Sequence, residues 1–461
     1  MQASTRRWMW GSLLSLAGVA ACSDTTIQDS PRPGGPSAAI TAAAAATVSP
    51  IFRSNMVLQR ETAVPVFGTA DPGTTVTVQF QNQTVSGVAG SDGRWRVNLA
   101  SMPASTAPAT LTVTSGAAAT QLTGVQVGDV WVCSGQSNMG KPLSYANGGT
   151  AEAALAGNYN LRLFRMTAQL PGPTYASWEV NSSTAASNFS AVGYWFGLEM
   201  AKKQGVPIGL IQATHDGTSI SEWETSNGGG GADYLAMVRS IQPFAVKGVV
   251  WYQGESDGGD ATYETRLTDM IAQWRAEWGQ ARLPFGIVQL TGTGTGGARW
   301  GQYQVSRKVA DTWLVVTSDL PGGQQLHPTE KKPIGLRLGL GARALVYGEA
   351  IEYSSPVVTS VAVSGTRVTL TYGHAGNGLV TGDGAAPTTF QVADAAGGRY
   401  QTATATITGN TIVLTSKVAA PHSVRYQWGS TGNVFNSINV PVEGGASSIT
   451  RLPASMVQLN F

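Results

Sequence analysis

A serine does nucleophilic chemistry only if a base can reach it and donors can hold the charge that develops on the substrate. Ser137 stands where that is feasible. The apolar run Val130-Trp131-Val132-Cys133 leads into Ser134-Gly135-Gln136-Ser137-Asn138-Met139. The pattern reads as a buried strand breaking into a tight polar turn, and strand-end loops are where open α/β sheets hold their chemistry. On these ten residues alone, a nucleophile and an ordinary polar turn fit equally. The search for a base is short, because the chain has four histidines. His374 and His422 fall in a C-terminal stretch of β pattern. His215 adjoins the turn at Gly217. His327 lies in Leu326-His327-Pro328, just before a helical pattern, and is the better base.

The elements that must position these residues run from about residue 127 to 349, where strand and helix patterns alternate. Val192 to Lys203 reads as a helix closed by Gly205 and Pro207. Ile208 to Gln212 reads as a strand ending in Asp216-Gly217-Thr218. Val246 to Tyr252 is another apolar run, ending in Gln253-Gly254-Glu255-Ser256-Asp257. Tyr263 to Trp278 and Lys332 to Tyr347 read as helices, Phe285 to Leu290 and Trp313 to Thr317 as strands. Repeated βα units imply an α/β segment with a mostly parallel sheet and helices on both faces. Ser137, Gly217 and Gln253 then lie at three strand ends along one edge, where they can share a cleft.

On either side the pattern is pure alternation. Residues 48–126 carry Ala63 to Thr69, the turn Asp71-Pro72-Gly73, Thr75 to Phe80, Arg94 to Val97 and Ala109 to Val113, which predicts an N-terminal β-sandwich. Residues 350–461 carry Val357 to Val363, Arg367 to Tyr372, Thr402 to Ile407, Thr411 to Leu414 and Ser423 to Trp428. They predict a second β-sandwich, or a partner sheet for the first. A chain of 461 residues is long enough for two or three such domains. Only 12% of residues are charged and the net charge is +2, so the basic face of a nucleic-acid binder is missing. The 13 tryptophans suit sugar faces where exposed, but about two-thirds belong in the core, since this residue is highly buried on average. Scattered histidines and too few cysteines leave no zinc site, and the chemistry calls for no cofactor.

The N-terminus reads as an export signal. Arg6 and Arg7 precede an apolar stretch from Trp8 to Ala21 that is too short to span a bilayer. Val19-Ala20-Ala21-Cys22 resembles a bacterial lipobox, which implies cleavage before Cys22 and a lipid on its sulfur. Residues 1–22 are then signal peptide and lipobox, and residues 23–47, rich in Pro, Gly and Ala, a flexible tether. In a Gram-negative cell, Ser23 after the cysteine points to an outer-membrane or cell-surface destination, with the lipid as the sole membrane attachment. Of the two cysteines only Cys133 remains, in an apolar strand, so no internal disulfide is expected.

Taken in order, the motifs resemble a known family, the sialate O-acetylesterase-like SGNH carbohydrate esterases with their acetylxylan-esterase relatives. The similarity rests on Met56-Val57-Leu58-Gln59-Arg60, Gly128-Asp129-Val130-Trp131 with Gly135-Gln136-Ser137-Asn138-Met139, and Gly209-Leu210-Ile211 with Gly217-Thr218. It continues in Trp251-Tyr252-Gln253-Gly254-Glu255-Ser256, His327-Pro328 with Lys331 or Lys332 and Gly335-Leu336-Arg337-Leu338, and Val424-Arg425-Tyr426-Gln427-Trp428. The resemblance implies a flavodoxin-like three-layer αβα hydrolase domain between β-sandwich or jelly-roll modules. It implies removal of acetyl groups from a sugar or glycan, with Ser137 as nucleophile and His327 as base. It assigns the oxyanion to the N–H groups of Ser137 and Gly217 and the side-chain amide of Gln253. Gln136, Asn138 and Glu255 support the site; Glu255 either orients Gln253, closes a network beneath the site, or is a solvated acid at a helix start.

The chain departs from the family pattern at three places. The acid usual two or three residues before the histidine is Gln324 or Gln325, which leaves two ways to orient the imidazole: a backbone carbonyl near Gln325, or Asp319 from the preceding strand end. His215-Asp216 replaces Trp-Gly, and Gly140 replaces a glutamate. An inactive glycan-binding surface lipoprotein on an esterase scaffold is one alternative, a lipase or acyl-thioesterase another, and a xylan or other hemicellulose substrate instead of sialate a third.

Overall fold

The longest strand, Ala118–Gly135, is shared by two sheets. Its first half pairs antiparallel with Ser105–Ser115. Its second half pairs in parallel with Ile208–Thr214 on one side and Gly248–Tyr252 on the other. The sequence explains the change. Up to Thr123 most residues are polar or small and exposed, whereas Val125, Val127, Val130, Trp131, Val132 and Cys133 are fully buried, as a strand covered on both faces requires. The division expected between residues 126 and 127 therefore falls inside one continuous strand.

The computed structural model describes residues 45–167, 174–228, 230–292, 294–323, 325–437 and 451–461. The expected signal segment, Cys22, the expected tether up to residue 44 and Gln324 lie outside the described residues. Ala43–Phe461 forms one compact unit.

Across the central sheet the strands run Thr174–Val180, Leu161–Thr167, Ile208–Thr214, Ala118–Gly135, Gly248–Tyr252, Phe285–Gln289 and Thr312–Val316. All pairings along it are parallel except that of the first edge strand with its neighbour. The central strand comes first in the chain, and later strands are added to one side and then the other. That makes the carboxyl end of Ala118–Gly135 a topological switch point, where neighbouring connections part and leave a crevice.

The helices seal the sheet. Ala191–Gln204 starts where Ser190 Oγ accepts from Gly193 N at 2.9 Å, and it packs against Lys332–Leu345, which has Pro333 in its first turn. Tyr263–Trp278 packs against Gly296–Lys308. Trp131, Trp195, Trp223, Trp251 and Trp274 fill the space between helices and sheet, with Trp223 edge-on to Trp251 at 5.5 Å. Nine of the eleven described tryptophans are buried, so the core holds a larger share than sequence reading assigns it.

The flanking segments are antiparallel β, apart from Val57–Gln59, which pairs in parallel with the long strand. In the N-terminal part Val64–Thr69 pairs with Arg94–Leu99, and Thr75–Phe80 pairs with both Gln83–Val88 and Ser105–Ser115. Towards the C-terminus, Val357–Ser364, Arg367–Gly373, Thr411–Thr415 and Thr404–Thr408 form one sheet; Gln401–Thr402, Phe390–Ala393, Ser423–Tyr426 and Val457–Asn460 form another. Val368, Leu370, Phe390, Val392, Ile412, Leu414 and Val424 enclose a second core, which Tyr303 of helix Gly296–Lys308 joins. Among the described residues no helix is long and apolar enough to cross a membrane.

Candidate active site

At the end of the central strand the chain turns within two residues. Gly135 has φ of 133°, and a Cβ there would lie 2.1 Å from the carbonyl oxygen of Tyr252 on the adjacent strand. Only glycine fits so close to another backbone. Gln136 N then donates to that carbonyl at 3.1 Å, and Ser137 opens the short helix Ser137–Gly140. The Ser137 side chain meets His327: Oγ lies 2.8 Å from Nε2. The two residues are 190 positions apart in the chain.

Backbone anchors hold the histidine loop. Tyr145 Oη donates to the carbonyl oxygen of His327 at 2.6 Å, and Asn138 Nδ2 donates to that of Leu326 at 2.9 Å. Asn138 directly follows Ser137, so one residue ties the serine turn to the histidine loop. Burial, and after it the positive charges of Lys141 and Lys331, pushes the imidazole pKa below its ordinary value; Asp216 opposes them. A neutral ring with a free lone pair is the form a general base needs.

Beneath Ser137 lies a polar network. Gln136 Nε2 donates to Glu255 at 2.6 Å, and Asn138 Nδ2 donates to the other Glu255 oxygen. Lys331, fully buried, donates to Asn138 Oδ1 at 2.5 Å and lies over the Tyr252 ring at 5.2 Å. Burial lowers the Lys331 ammonium to about 7 and raises the Glu255 carboxyl. Of the three roles open to Glu255, the geometry is that of a network closed below the site. The choice between Lys331 and Lys332 is also resolved: Lys332 reaches outward to Glu152 at 3.3 Å.

Three expectations fail: an orienting role for Asp319, an oxyanion role for the Gln253 amide, and a Gln325 carbonyl on His327 Nδ1. Asp319 does not reach His327. Arg337 grips it with two hydrogen bonds, at 2.7 and 2.6 Å, both side chains being largely buried. The Gln253 amide is not aimed at the cleft. It is fully buried, its Nε2 donates to the carbonyl oxygen of Thr218 at 3.0 Å and to Asp257 at 2.5 Å, and its Oε1 accepts from Tyr263 Oη at 2.9 Å. Both amide hydrogens are spent inside the protein. Asp257, Tyr263 and Lys331 are thus structural partners of the site that sequence reading passed over or left undecided.

The remaining donors are backbone. Gly217 has φ of 75° and open space where a Cβ would sit. Among the described residues nothing accepts from the N–H of Ser137 or of Gly217. No described residue is bonded to His327 Nδ1, whether the Gln325 carbonyl or a carboxylate. A cleft of about 230 Å³ opens beside the site, lined by Asn138, Tyr252, Glu255, Thr291, Leu326 and Pro328 among others. Among the described residues no three His, Cys, Asp or Glu side chains gather as a metal site would require.

Residues 127–341 match the family model described as carbohydrate esterase, sialic acid-specific acetylesterase. The crystal structure of a carbohydrate acetylesterase from Xanthomonas citri superposes with a TM-score of 0.80 at 32% identity, covering 90% of this chain and 99% of that one. The chain belongs to the sialate O-acetylesterase-like carbohydrate esterases. Sialate O-acetylesterases of Pongo abelii and Homo sapiens are each 29% identical over 374 residues, 65% of this chain and 70% of theirs. This carbohydrate esterase carries every ordered sequence block on which the resemblance rests, including those in both flanking β segments.

Proposed function

We propose that this esterase hydrolyses O-acetyl esters on a sugar or glycan through an acetyl-enzyme on Ser137. The 2.8 Å contact between Ser137 Oγ and His327 Nε2 carries the proposal. His327 takes the hydroxyl proton as Oγ attacks the acetyl carbonyl, then returns it to the leaving sugar hydroxyl. Water, deprotonated by the same nitrogen, releases acetate and frees the serine. The N–H groups of Ser137 and Gly217 hold the oxyanion, each worth about a hundred- to a thousandfold in rate. Gln253 acts indirectly, by fixing the carbonyl of Thr218 next to Gly217.

The pair works as a dyad, with the ring positioned by its anchored backbone instead of by a carboxylate. The parallel sheet with two packed helix pairs supports the three-layer αβα hydrolase assignment, flanked by β-sandwich modules. On its lipobox resemblance, the chain is exported and held at an outer membrane or cell surface through lipid on Cys22. Treatment with an aryl phosphonate tests the mechanism. It should label one serine, Ser137 by peptide mass, and label it far more slowly in His327→Ala. Labelling elsewhere, or equal rates in both proteins, would remove the dyad.

A further inference from the structure

A second histidine stands beside the serine turn and takes no part in the chemistry above. His215 immediately follows strand Ile208–Thr214, and its N–H donates to the carbonyl oxygen of Gly135 at 3.2 Å. It is thereby fixed beside the turn that presents Ser137. It also lies two residues before Gly217, so at most about 7 Å of extended chain separates it from that N–H. Thr218 Oγ1 donates back to the His215 carbonyl oxygen at 2.9 Å, which tightens the loop.

The imidazole is oriented. Its Nδ1 lies 2.9 and 3.0 Å from the two oxygens of Asp233, a carboxylate only 7% exposed. A carboxylate can only accept, so in the neutral ring Nδ1 carries the proton and Nε2 presents a lone pair. The His215 side chain is 44% exposed, and no described residue is bonded to Nε2. A half-exposed ring fixed by a buried acid, with its acceptor nitrogen unspent, is built to receive a hydrogen bond from outside. Asp216, next in the chain, pairs with Lys141 at 3.5 Å and acts electrostatically on His327, which brings this loop to the catalytic pair.

We infer that His215, held by Asp233, is a specificity-determining residue that accepts a hydrogen bond from a free hydroxyl of the acetylated sugar. The inference rests on the esterase reading above. It assigns His215 to the leaving group and not to the acetyl carbonyl. Its contribution therefore depends on whether the ester is carried by a sugar or by a group without hydroxyls. A site that hydrogen-bonds a substrate hydroxyl discriminates strongly against an analogue lacking it.

The test compares 4-nitrophenyl acetate with partially O-acetylated xylan and O-acetylated sialic acid, both bearing free hydroxyls. The proteins are wild type, His215→Ala, His215→Gln, Asp233→Asn and Ser137→Ala. His215→Ala should raise KM for the better sugar ester about tenfold, the loss of one hydrogen bond, and leave kcat and aryl acetate turnover within about twofold. His215→Gln, whose amide reaches the place of Nε2, should recover part of the loss. Asp233→Asn should reproduce it, since the ring can then move its proton to Nε2. Equal changes on all substrates, or none, would overturn the inference while the dyad stands, provided Ser137→Ala is inactive throughout. A wild-type protein silent on all three substrates would overturn both.

Discussion

At the scale of single residues, the site depends on where protons and lone pairs are spent. His327 keeps its lone pair because burial and the nearby ammonium groups of Lys141 and Lys331 disfavour the imidazolium. The sign follows directly. A lowered pKa keeps the base neutral into more acidic solution, so kcat/KM should hold its plateau to below the ordinary imidazole value and then fall with acid. Lys141→Gln removes one of the repelling charges and should move that limb upward. A pH–rate profile of both proteins checks this; a limb above the ordinary value in wild type would contradict it. Ser137 and His327 were legible in the sequence because a nucleophile at a strand end and a base before a helix leave few candidates. The fate of Gln253 and Asp319 was not legible. Whether an amide faces a cleft or a buried carboxylate depends on partners such as Thr218, Asp257 and Arg337, which adjacency in sequence does not give.

At the scale of elements, the strand ends place the chemistry and the helices lock it. Arg337 of Lys332–Leu345 donates to Asp319 and to the carbonyl oxygen of Val316, which fastens that helix to the last strand of the sheet. Breaking a largely buried pair by removing one charge costs about 3–5 kcal/mol. Asp319→Asn should therefore lower the melting temperature markedly while the acid limb of kcat/KM stays in place. If Asp319 oriented His327, the limb would move and kcat would drop by powers of ten. Helices with an apolar stripe, such as Tyr263–Trp278, were read from the sequence with the right bounds. Gly296–Lys308 is less legible, because Arg299, Gly301 and Gln302 share its buried face with Ala298, Tyr303 and Val305 and break up the apolar stripe. The inner strand Leu161–Thr167 was missed for a related reason: Arg162 and Arg165 interrupt the apolar run that marks a doubly covered strand.

At the scale of the whole molecule, the esterase sheet is continuous with its N-terminal β part through Ala118–Gly135 and braced on the other side by the C-terminal core. Arg299 Nη1 donates to the carbonyl oxygen of Gln427 at 3.3 Å across that junction. The alternating patterns of both flanking segments were legible in the sequence; a strand serving two sheets was not, because its pattern changes gradually between Gln121 and Val127. The proposed lipid anchor makes a separate prediction. Cys22→Ser should move the protein from the membrane fraction to the soluble one after fractionation of an expressing bacterium. An unchanged distribution would remove the lipid anchor.

The central claim is that Ser137 and His327 form a working dyad without an orienting carboxylate. The most direct measurement is acetate release from an aryl acetate and from acetylated glycans by wild type, Ser137→Ala and His327→Ala. The account predicts turnover by wild type and a loss of about four to six powers of ten in each variant. A wild-type protein as silent as its variants on every ester, yet folded and retaining glycan affinity, would contradict it and make the chain a binding protein on an esterase scaffold.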